Sequence, residues 1–570
     1  MSGTSSSGGP GGSGGRGPRR PAASHAAGDA AGALSGGVLP GPSGRPGGPG
    51  DGGTDLHWQE GLDPAPGPPW VLGHRGAPWE APENTLASLR RAMAWGLDGY
   101  EVDLQPCASG EAVVLHDETL GRTTSGRGPV AAATLPELFG LDAGSWFAPA
   151  FAGEPVPLLD EAYHLELPAG TPPPLRMLEL KDPGLVEAVA RVVARERGGP
   201  EGRPFVLASF HRSVCLEAKA RGLPTMLLAV LADEHDRRFV RDEGLDAHGV
   251  GPGGWRTPAG AEPWPCQRWS WSVDEPADLL AAFRMPLFGL NTNEPRRALA
   301  TRAMVRLAPD DDGPYPLAVD ELLVDGGGLV VEQGDEPRDR RAVLEPWTAA
   351  WCGDWRPRVR LRNPFAWPVR VVLAVELRGG AFEPGGEALE GPVDLAPGTE
   401  RELGLTLSGG SRSPGADPRL VATYRWDHGG RPRALVLDAP LTRRRELVLP
   451  EGTRRLELLR EAPGEPRATV TVARRGGELR LAVEDAGGLA QPHLAARLGS
   501  EAAYGGERLA LRLPTLLLTE AVERGLDFAV GFEGRDPRTG RRCFRRWGGG
   551  LSLEHGPGLL AGRPGRLRLA

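Results

Sequence analysis

Lysine is nearly missing from this chain: Lys181 and Lys219 are the only two, so almost all the positive charge is arginine. The bias reads as one of coding composition, and it makes each lysine worth locating. Cysteine is sparse as well. Cys107, Cys215, Cys266, Cys352 and Cys543 are far apart and form no CxxC pair, which argues against a disulfide framework or a zinc site and fits a reducing, cytoplasmic setting. From Met1 to about Gly67 no apolar run could serve as a signal-peptide core or cross a bilayer, and no transmembrane segment is expected. A block of basic residues is also lacking. The 66 Lys and Arg nearly cancel the 74 Asp and Glu, leaving a net charge of -8, and nucleic acid is an unfavoured partner.

What is present falls into regimes. The 570 residues exceed what one hydrophobic core supports and suggest three or four domains of about 150 residues each. Residues 1–68 are mostly Gly, Ser, Pro and Ala, the composition of a disordered arm. Over 69–304, short apolar runs alternate with helical patterns, the signature of a parallel sheet covered by helices. The runs are WVLG, GYEVDL, RMLELK, PFVLASF, PTMLLAVL, DAHGVG, RWSWSV and FGLNTN. Eight strands in this length predict an α/β fold, the (β/α)8 TIM barrel, whose catalytic side chains sit at the C-terminal strand ends; a doubly wound open sheet is the alternative. Between the first two runs, NTLASLRRAMAWG predicts a helix capped by Asn84 or Thr85 and stopped at Gly96.

Beyond the barrel the period changes from helical to two-residue. Val359 and Leu361, then Val369, Val371, Leu373, Val375 and Leu377, alternate across a proline-containing turn. Residues 305–450 are expected to form an immunoglobulin-like β-sandwich. Residues 451–570 read as a second all-β sandwich, with a hairpin turning at Gly476-Gly477. Fold-level analogy makes this last unit carbohydrate-binding-like, with glycan or polymer contact as its expected partner.

The chemistry-bearing residues gather at strand ends of the barrel. His74 and Arg75 close the first run, and Gly73 and Gly76 let the chain turn tightly there beside a bound anion. Glu101 and Asp103 are two apart in the next run and so share a face. A surface-facing pair on an edge strand would explain them if they stood alone. However, His116 and Asp117 end another β-like run, and Glu179 and Lys181, again two apart, end the third barrel strand. Glu101, Asp103 and Glu179 make an all-oxygen set suited to one divalent cation, Mg²⁺ or Ca²⁺, and poor for zinc. Arg75 and Lys181 add fixed positive charge of the kind a phosphoryl group requires, and two histidines supply a proton donor and acceptor. Together they point to metal-assisted phosphodiester cleavage.

In order and spacing, GHRG…PENT, EVDLQ, VVLHDETLGRTT and LELK resemble the glycerophosphodiester phosphodiesterase family, and DAGSWFAPAFAGEPVPLLDEA is similar to the insertion that follows its second strand. The resemblance covers about residues 70–297. It implies a TIM barrel that hydrolyses glycerophosphodiesters to glycerol 3-phosphate and an alcohol. His74 and His116 would be the acid/base pair, Glu101, Asp103 and Glu179 the metal ligands, and Arg75 and Lys181 the phosphate-binding groups. Glu83 and Asn84 would brace the first loop. The resemblance also implies that Trp271 walls the substrate pocket, a core tryptophan being the alternative.

Two motifs depart from the family pattern. WSVD, with Ser272 and Asp274, stands where WTVN is usual, and TNEP, with Asn293, where TD.P is usual. Neither is expected to touch the acid, base or metal ligands, so both are assigned to the pocket rim and to substrate choice. A lysophospholipase D-like lipid phosphodiesterase remains an alternative. So does a non-catalytic module that binds a phosphodiester or glycan, although the intact set of histidines and carboxylates argues against it.

Overall fold

In the computed structural model, residues 69–194, 205–229, 232–251, 254–256 and 263–320 are described, together with much of 322–569; the expected N-terminal arm, 1–68, lies outside the described residues. Eight parallel strands form the core of the first domain. They are β1 (Trp70–Gly73), β2 (Gly99–Pro106), then, after the short β3 (Ala112–Val114), β4 (Leu175–Leu180), β5 (Phe205–Ser209), β6 (Thr225–Ala229), β7 (Ala247–Val250), β8 (Gln267–Ser270) and β9 (Gly289–Thr292). Every run read from the sequence is one of these strands. Because β1 pairs with both β2 and β9, the sheet closes into a ring. That closure rules out the open doubly wound sheet.

Strands buried on both faces read as continuous apolar runs, and the interior shows why. Leu72, Met177, Val206, Ala208, Met226, Leu228, Ala247, Trp269 and Trp271 fill the barrel. The Trp269 indole crosses so close to Gly289 that a Cβ there would lie 2.2 Å from the ring, so this position admits no side chain. Around the ring, helix Leu86–Ala94 is capped by the Thr85 hydroxyl, which accepts from the Ser88 amide, and Gly96 follows at φ +83°. Helices Val186–Ala194 and Pro276–Arg284 bury Val186, Val189 and Val193, and Leu279, Ala282 and Phe283, against the ring.

β3 is antiparallel to the end of β2 and lies outside the ring. The excursion that follows has its own small core of Cys107, Val113, Leu115, Leu120, Val130, Leu135, Leu138 and Val156. It returns the chain to β4 and places His116 above the strand ends. Cys107, Cys215 and Cys266 are free thiols, and among the described residues no helix is long and apolar enough to cross a membrane.

All-β sheets follow. In the first unit Val359, Leu361, Val369, Val371 and Leu373 are buried on the two-residue period, while Val375 is half-buried and the side chain of Leu377 lies outside the described residues. In the second, Ala468–Arg475 pairs antiparallel with Glu478–Asp485 as the expected hairpin, whose Gly476 and Gly477 are not among the described residues. Arg443–Leu449 runs parallel with Gly565–Leu569 and with Leu322–Asp325, so segments from both sides of residue 450 share one sheet.

The barrel and the first all-β unit share one core. Leu280, Ala300 and Met304 of the barrel's last helices pack with Val359, Leu361, Phe365, Val371, Leu420, Tyr424 and Leu437. Helix Pro295–Leu307 is therefore buried nearly all round, including Arg296, Arg297 and Arg302. Its sequence shows little apolar stripe because protein surrounds it.

Candidate active site

The first strand ends in a sharp turn. Arg75 sits at φ +57° and Gly76 at φ +91°, and the Ser88 hydroxyl clamps the turn by donating to Arg75 O at 2.9 Å and accepting from the Ala77 amide at 2.8 Å. A Cβ on Gly73 would lie 2.1 Å from Gly76 O, and one on Gly76 would lie 2.4 Å from Ser88 Oγ. Crowding within the turn and against helix Leu86–Ala94 therefore requires these glycines, rather than the approach of an anion. We expect Gly73→Ala and Gly76→Ala each to cost more than about 2 kcal/mol in urea unfolding. Gly96→Ala, at positive φ but with nothing within 4 Å of its Cβ, should cost about 1 kcal/mol.

The turn delivers Arg75 into a buried network. Its backbone N–H donates to Glu101 Oε2 at 2.8 Å, its Nη1 donates to Glu83 Oε1 at 3.0 Å, and its Nε lies 3.0 Å from Asp103 Oδ2. Asn84 also braces the centre, donating from Nδ2 to Asp103 Oδ2 at 2.8 Å and accepting from the Asp103 amide at 3.2 Å. Glu83 and Asn84 thus hold the phosphate-binding candidate and a metal-ligand candidate together, which is the bracing expected of them. Arg122 was not foreseen. It bridges Glu83, at 2.8 and 2.9 Å, to Asp117, at 2.7 and 3.0 Å, and only its place five residues after Asp117 hinted at this.

Glu101, Asp103 and Glu179 offer carboxylate oxygens within 4.8 Å of one another. Lys181 Nζ lies 2.8 Å from Asp103 Oδ1, although without hydrogen-bond alignment, and also contacts Glu179. Glu101 Oε1 is buried with no hydrogen-bond partner, an expensive state for a carboxylate. Burial, followed by the neighbouring Asp103 and Glu179 charges, raises the Glu101 carboxyl well above its usual range. Burial would raise Asp103 too, but Lys181 and Arg75 outweigh it and hold Asp103 well below that range. Three converging carboxylates, one with an unpartnered oxygen, suit a hard divalent cation.

The two histidines flank this triad. His74 has Nε2 4.0 Å from Glu101 Oε2, and its Nδ1 lies 2.9 Å from Asn293 Oδ1 and 3.0 Å from Ser272 Oγ. The Asn293 Nδ2 donates to Asp274 Oδ2 at 2.7 Å, which turns its Oδ1 toward the ring and makes it an acceptor. His74 therefore carries its proton on Nδ1 and keeps the Nε2 lone pair on the triad side. His116 Nδ1 donates likewise to Asp117 Oδ1 at 2.9 Å. Burial, then Arg75, lowers His74 from 6.5 to about 4, and burial with Arg75 and Lys181 lowers His116 to about 3.

These contacts correct one expectation. Ser272, Asp274 and Asn293 are not confined to a pocket rim: Ser272 and Asn293 hydrogen-bond His74, and Asp274 orients Asn293. The cause is barrel closure, which brings the end of β9 beside the end of β1. Trp271 is 5% exposed at the top of the interior stack, its ring edge-on to Phe210 with centroids 5.3 Å apart.

The acid response follows from the same network. Arg122 and Arg75 overcome burial to lower Glu83 from 4.5 to about 2. A depressed carboxyl contributes stability that is complete above pH 4.5 and is lost as pH falls toward 2. The depressed histidines act in the same direction below pH 6.5. We expect Glu83→Gln to be less stable than the parent at pH 6, with the gap in urea midpoint narrowing between pH 4.5 and 3.

The fold and site define a class: a (β/α)8 barrel with a buried carboxylate triad, two fixed cations and two histidines at its C-terminal mouth. Within it, residues 74–182 match the Glycerophosphoryl diester phosphodiesterase family. The chain is 50% identical over 95 residues to a glycerophosphodiester phosphodiesterase of Caldanaerobacter subterraneus subsp. tengcongensis, covering 17% of this chain and 39% of that protein. It is 35% identical over 166 residues to one of Bacillus altitudinis, covering 28% of this chain and 65% of that protein, so it spans less than two thirds of either relative. Among solved structures, an Oleispira antarctica phosphodiesterase in complex with the product sn-glycerol-3-phosphate is 24% identical, with a TM-score of 0.38, covering 41% of this chain and 96% of that one.

Proposed function

We propose that the barrel is a divalent-cation-dependent phosphodiesterase that hydrolyses glycerophosphodiesters to glycerol 3-phosphate and an alcohol. The observation that carries this reading is the triad of Glu101, Asp103 and Glu179 flanked by two histidines that both hold their proton on Nδ1. Glu101, Asp103 and Glu179 would hold one Mg²⁺ or Ca²⁺. When bound, the ion supplies positive charge opposite the non-bridging phosphoryl oxygens.

This chain's residues supply the rest. Arg75 and Lys181 are fixed cations for the phosphodiester anion, and buried charges of this kind need no reorganisation as negative charge develops. His74, backed by the neutral amide of Asn293, is suited to accept a proton at Nε2 from the attacking water as its oxygen bonds to phosphorus. His116, backed by the Asp117 carboxylate, is better placed to carry positive charge and to give a proton to the departing alkoxide. Burial, then Arg75 and Lys181, depresses His116; a bound anion would offset the two charges, and His116 must take up a second proton at Nε2 before it can give one to the alkoxide. Trp271 and Phe210 would wall the alcohol side of the pocket. The glycan contact expected of the last domain has no support from the family match, which ends at residue 182.

The test is to incubate the protein with a panel of glycerophosphodiesters and lysophospholipids, with Mg²⁺, Ca²⁺ or chelator, and to identify the products. Glycerol 3-phosphate is expected, only when a cation is present. Turnover of lysophospholipid alone would reassign the substrate class, and a cyclic phosphate product would make the substrate's own hydroxyl the nucleophile. No turnover under any condition would overturn the reading.

A further inference from the structure

Beside the shared apolar core, the barrel and the first all-β unit meet in a buried ionic junction, next in sequence to the Asn293 that contacts His74. Asn293, the ring's partner, is followed by Glu294, whose Oε1 accepts from Arg419 Nη2 at 2.6 Å. Arg419 belongs to strand Arg419–His428 of the all-β unit. Its Nη1 donates to Asp438 Oδ2 at 3.2 Å, and the same carboxylate accepts from Arg297 at 2.9 and 3.3 Å. Arg297 in turn donates from Nη1 to the backbone carbonyl of Asp274 at 2.8 Å. Two routes therefore run from the sandwich to the groups around His74, one through Glu294 to Asn293 and one through Arg297 to Asp274.

The small contacts close the loop. Asp274 Oδ1 accepts from the Asn293 amide at 2.7 Å and from the Thr292 hydroxyl at 3.0 Å, and that hydroxyl accepts from the Glu294 amide at 2.9 Å. Arg296 pairs with Glu376 at 2.7 and 3.0 Å and also approaches Asp438 Oδ2 at 3.8 Å, so Glu376 is the outer, more exposed carboxylate of the same lattice and, among the described residues, makes no hydrogen bond or ion pair with the turn that carries Asn293. Three arginines thus meet three carboxylates. A balanced buried ion lattice is a poor source of net stability compared with apolar packing, but it fixes geometry strongly. The geometry fixed here is that of the turn carrying Asn293.

We propose that the first all-β unit completes the catalytic end of the barrel, with Arg419 and Asp438 as positioning residues that hold the Asn293–Asp274 pair and so the ring plane and Nδ1–H tautomer of His74. The consequence for hydrolysis rests on the function proposed above; the consequence for the His74 ring does not. A change at Arg419 or Asp438 leaves every group that would touch substrate in place, yet loosens the acceptor that selects the tautomer.

The test uses the full-length protein. Arg419→Met removes both ionic contacts while keeping an apolar stem, Asp438→Asn keeps the shape of the other partner, and Glu376→Gln weakens the same interface away from the turn. Histidine side-chain ¹⁵N shifts, with His74 assigned by its loss in His74→Ala, report the tautomer; kcat and KM report function. In Arg419→Met and Asp438→Asn, His74 should move from one tautomer toward a mixture, and kcat should fall about ten- to a hundred-fold with KM within about two-fold. Arg419→Lys should restore part of both, and Glu376→Gln should change neither, even where its melting temperature drops as far. The proposal is overturned if the His74 signal is unmoved in both variants that disturb the turn, or if Glu376→Gln lowers kcat as much as they do. If Arg419→Met does not fold, Asp438→Asn decides alone. If the parent hydrolyses no glycerophosphodiester, the function fails on that result while the ¹⁵N shifts still decide the positioning.

Discussion

Replacing His116 with alanine is expected to lower kcat for glycerophosphodiester hydrolysis by about 10²–10⁴-fold, the usual worth of a positioned proton donor, with little change in KM. The reasoning is positional. The His116 ring is held by Asp117, which is itself pinned between His116 and Arg122, and neither His116 nor Asp117 belongs to the carboxylate triad. Phosphate and cation binding should therefore survive the substitution while the leaving alkoxide loses its proton source. Substrates with more acidic leaving alcohols need that proton less, so the loss should shrink for an aryl phosphodiester. If aryl and alkyl substrates suffer equally, the proton-donor role of His116 is wrong.

The second large effect concerns stability. Glu101→Gln should abolish turnover, and it should raise the melting temperature of the chelated protein. Glu101 Oε1 is buried without a partner, and its carboxyl is pushed up by burial and by Asp103 and Glu179. A neutral amide of the same shape relieves that repulsion, with a rise on the order of 2–4 °C per kcal/mol relieved. Added Mg²⁺ or Ca²⁺ should then stabilise the parent by about 2.7 kcal/mol at a hundred-fold excess over its dissociation constant and leave Glu101→Gln nearly unmoved. A variant that melts lower than the parent in chelator would show that the triad is not strained without its ion. A cation response equal to the parent's would remove Glu101 from the ligand set.

Much of this was legible in the chain. The eight strands announced themselves as apolar runs, and the seven charged or imidazole groups could be placed because each sits within about three residues of the end of a run, where barrel geometry makes them converge. What was hidden depended on contacts between distant segments. Asn293 lies 219 residues from His74, and only ring closure makes them neighbours. Arg122 looked like any polar loop residue, because its two carboxylate partners come from different loops. Nothing in PRRALATRAM signals that its arginines are buried, since their partners Glu376 and Asp438 are 80 and 141 positions away. Periodicity reports burial by apolar residues and is silent about burial by exchange of charge.

The shared core along helix Pro295–Leu307 bears on how this chain can be divided. A cut just after the last barrel helix, at the border that element spacing suggests, would bare Ala300 and Met304, take Glu376 and Asp438 from Arg296, and leave Arg297 with Glu294 but without Asp438. An excised barrel would thus present a new apolar, cationic face to solvent. A portable unit of this enzyme-like fold therefore has to extend past Pro440, where the strand that carries Asp438 ends, to include Leu441, which is buried in the same core.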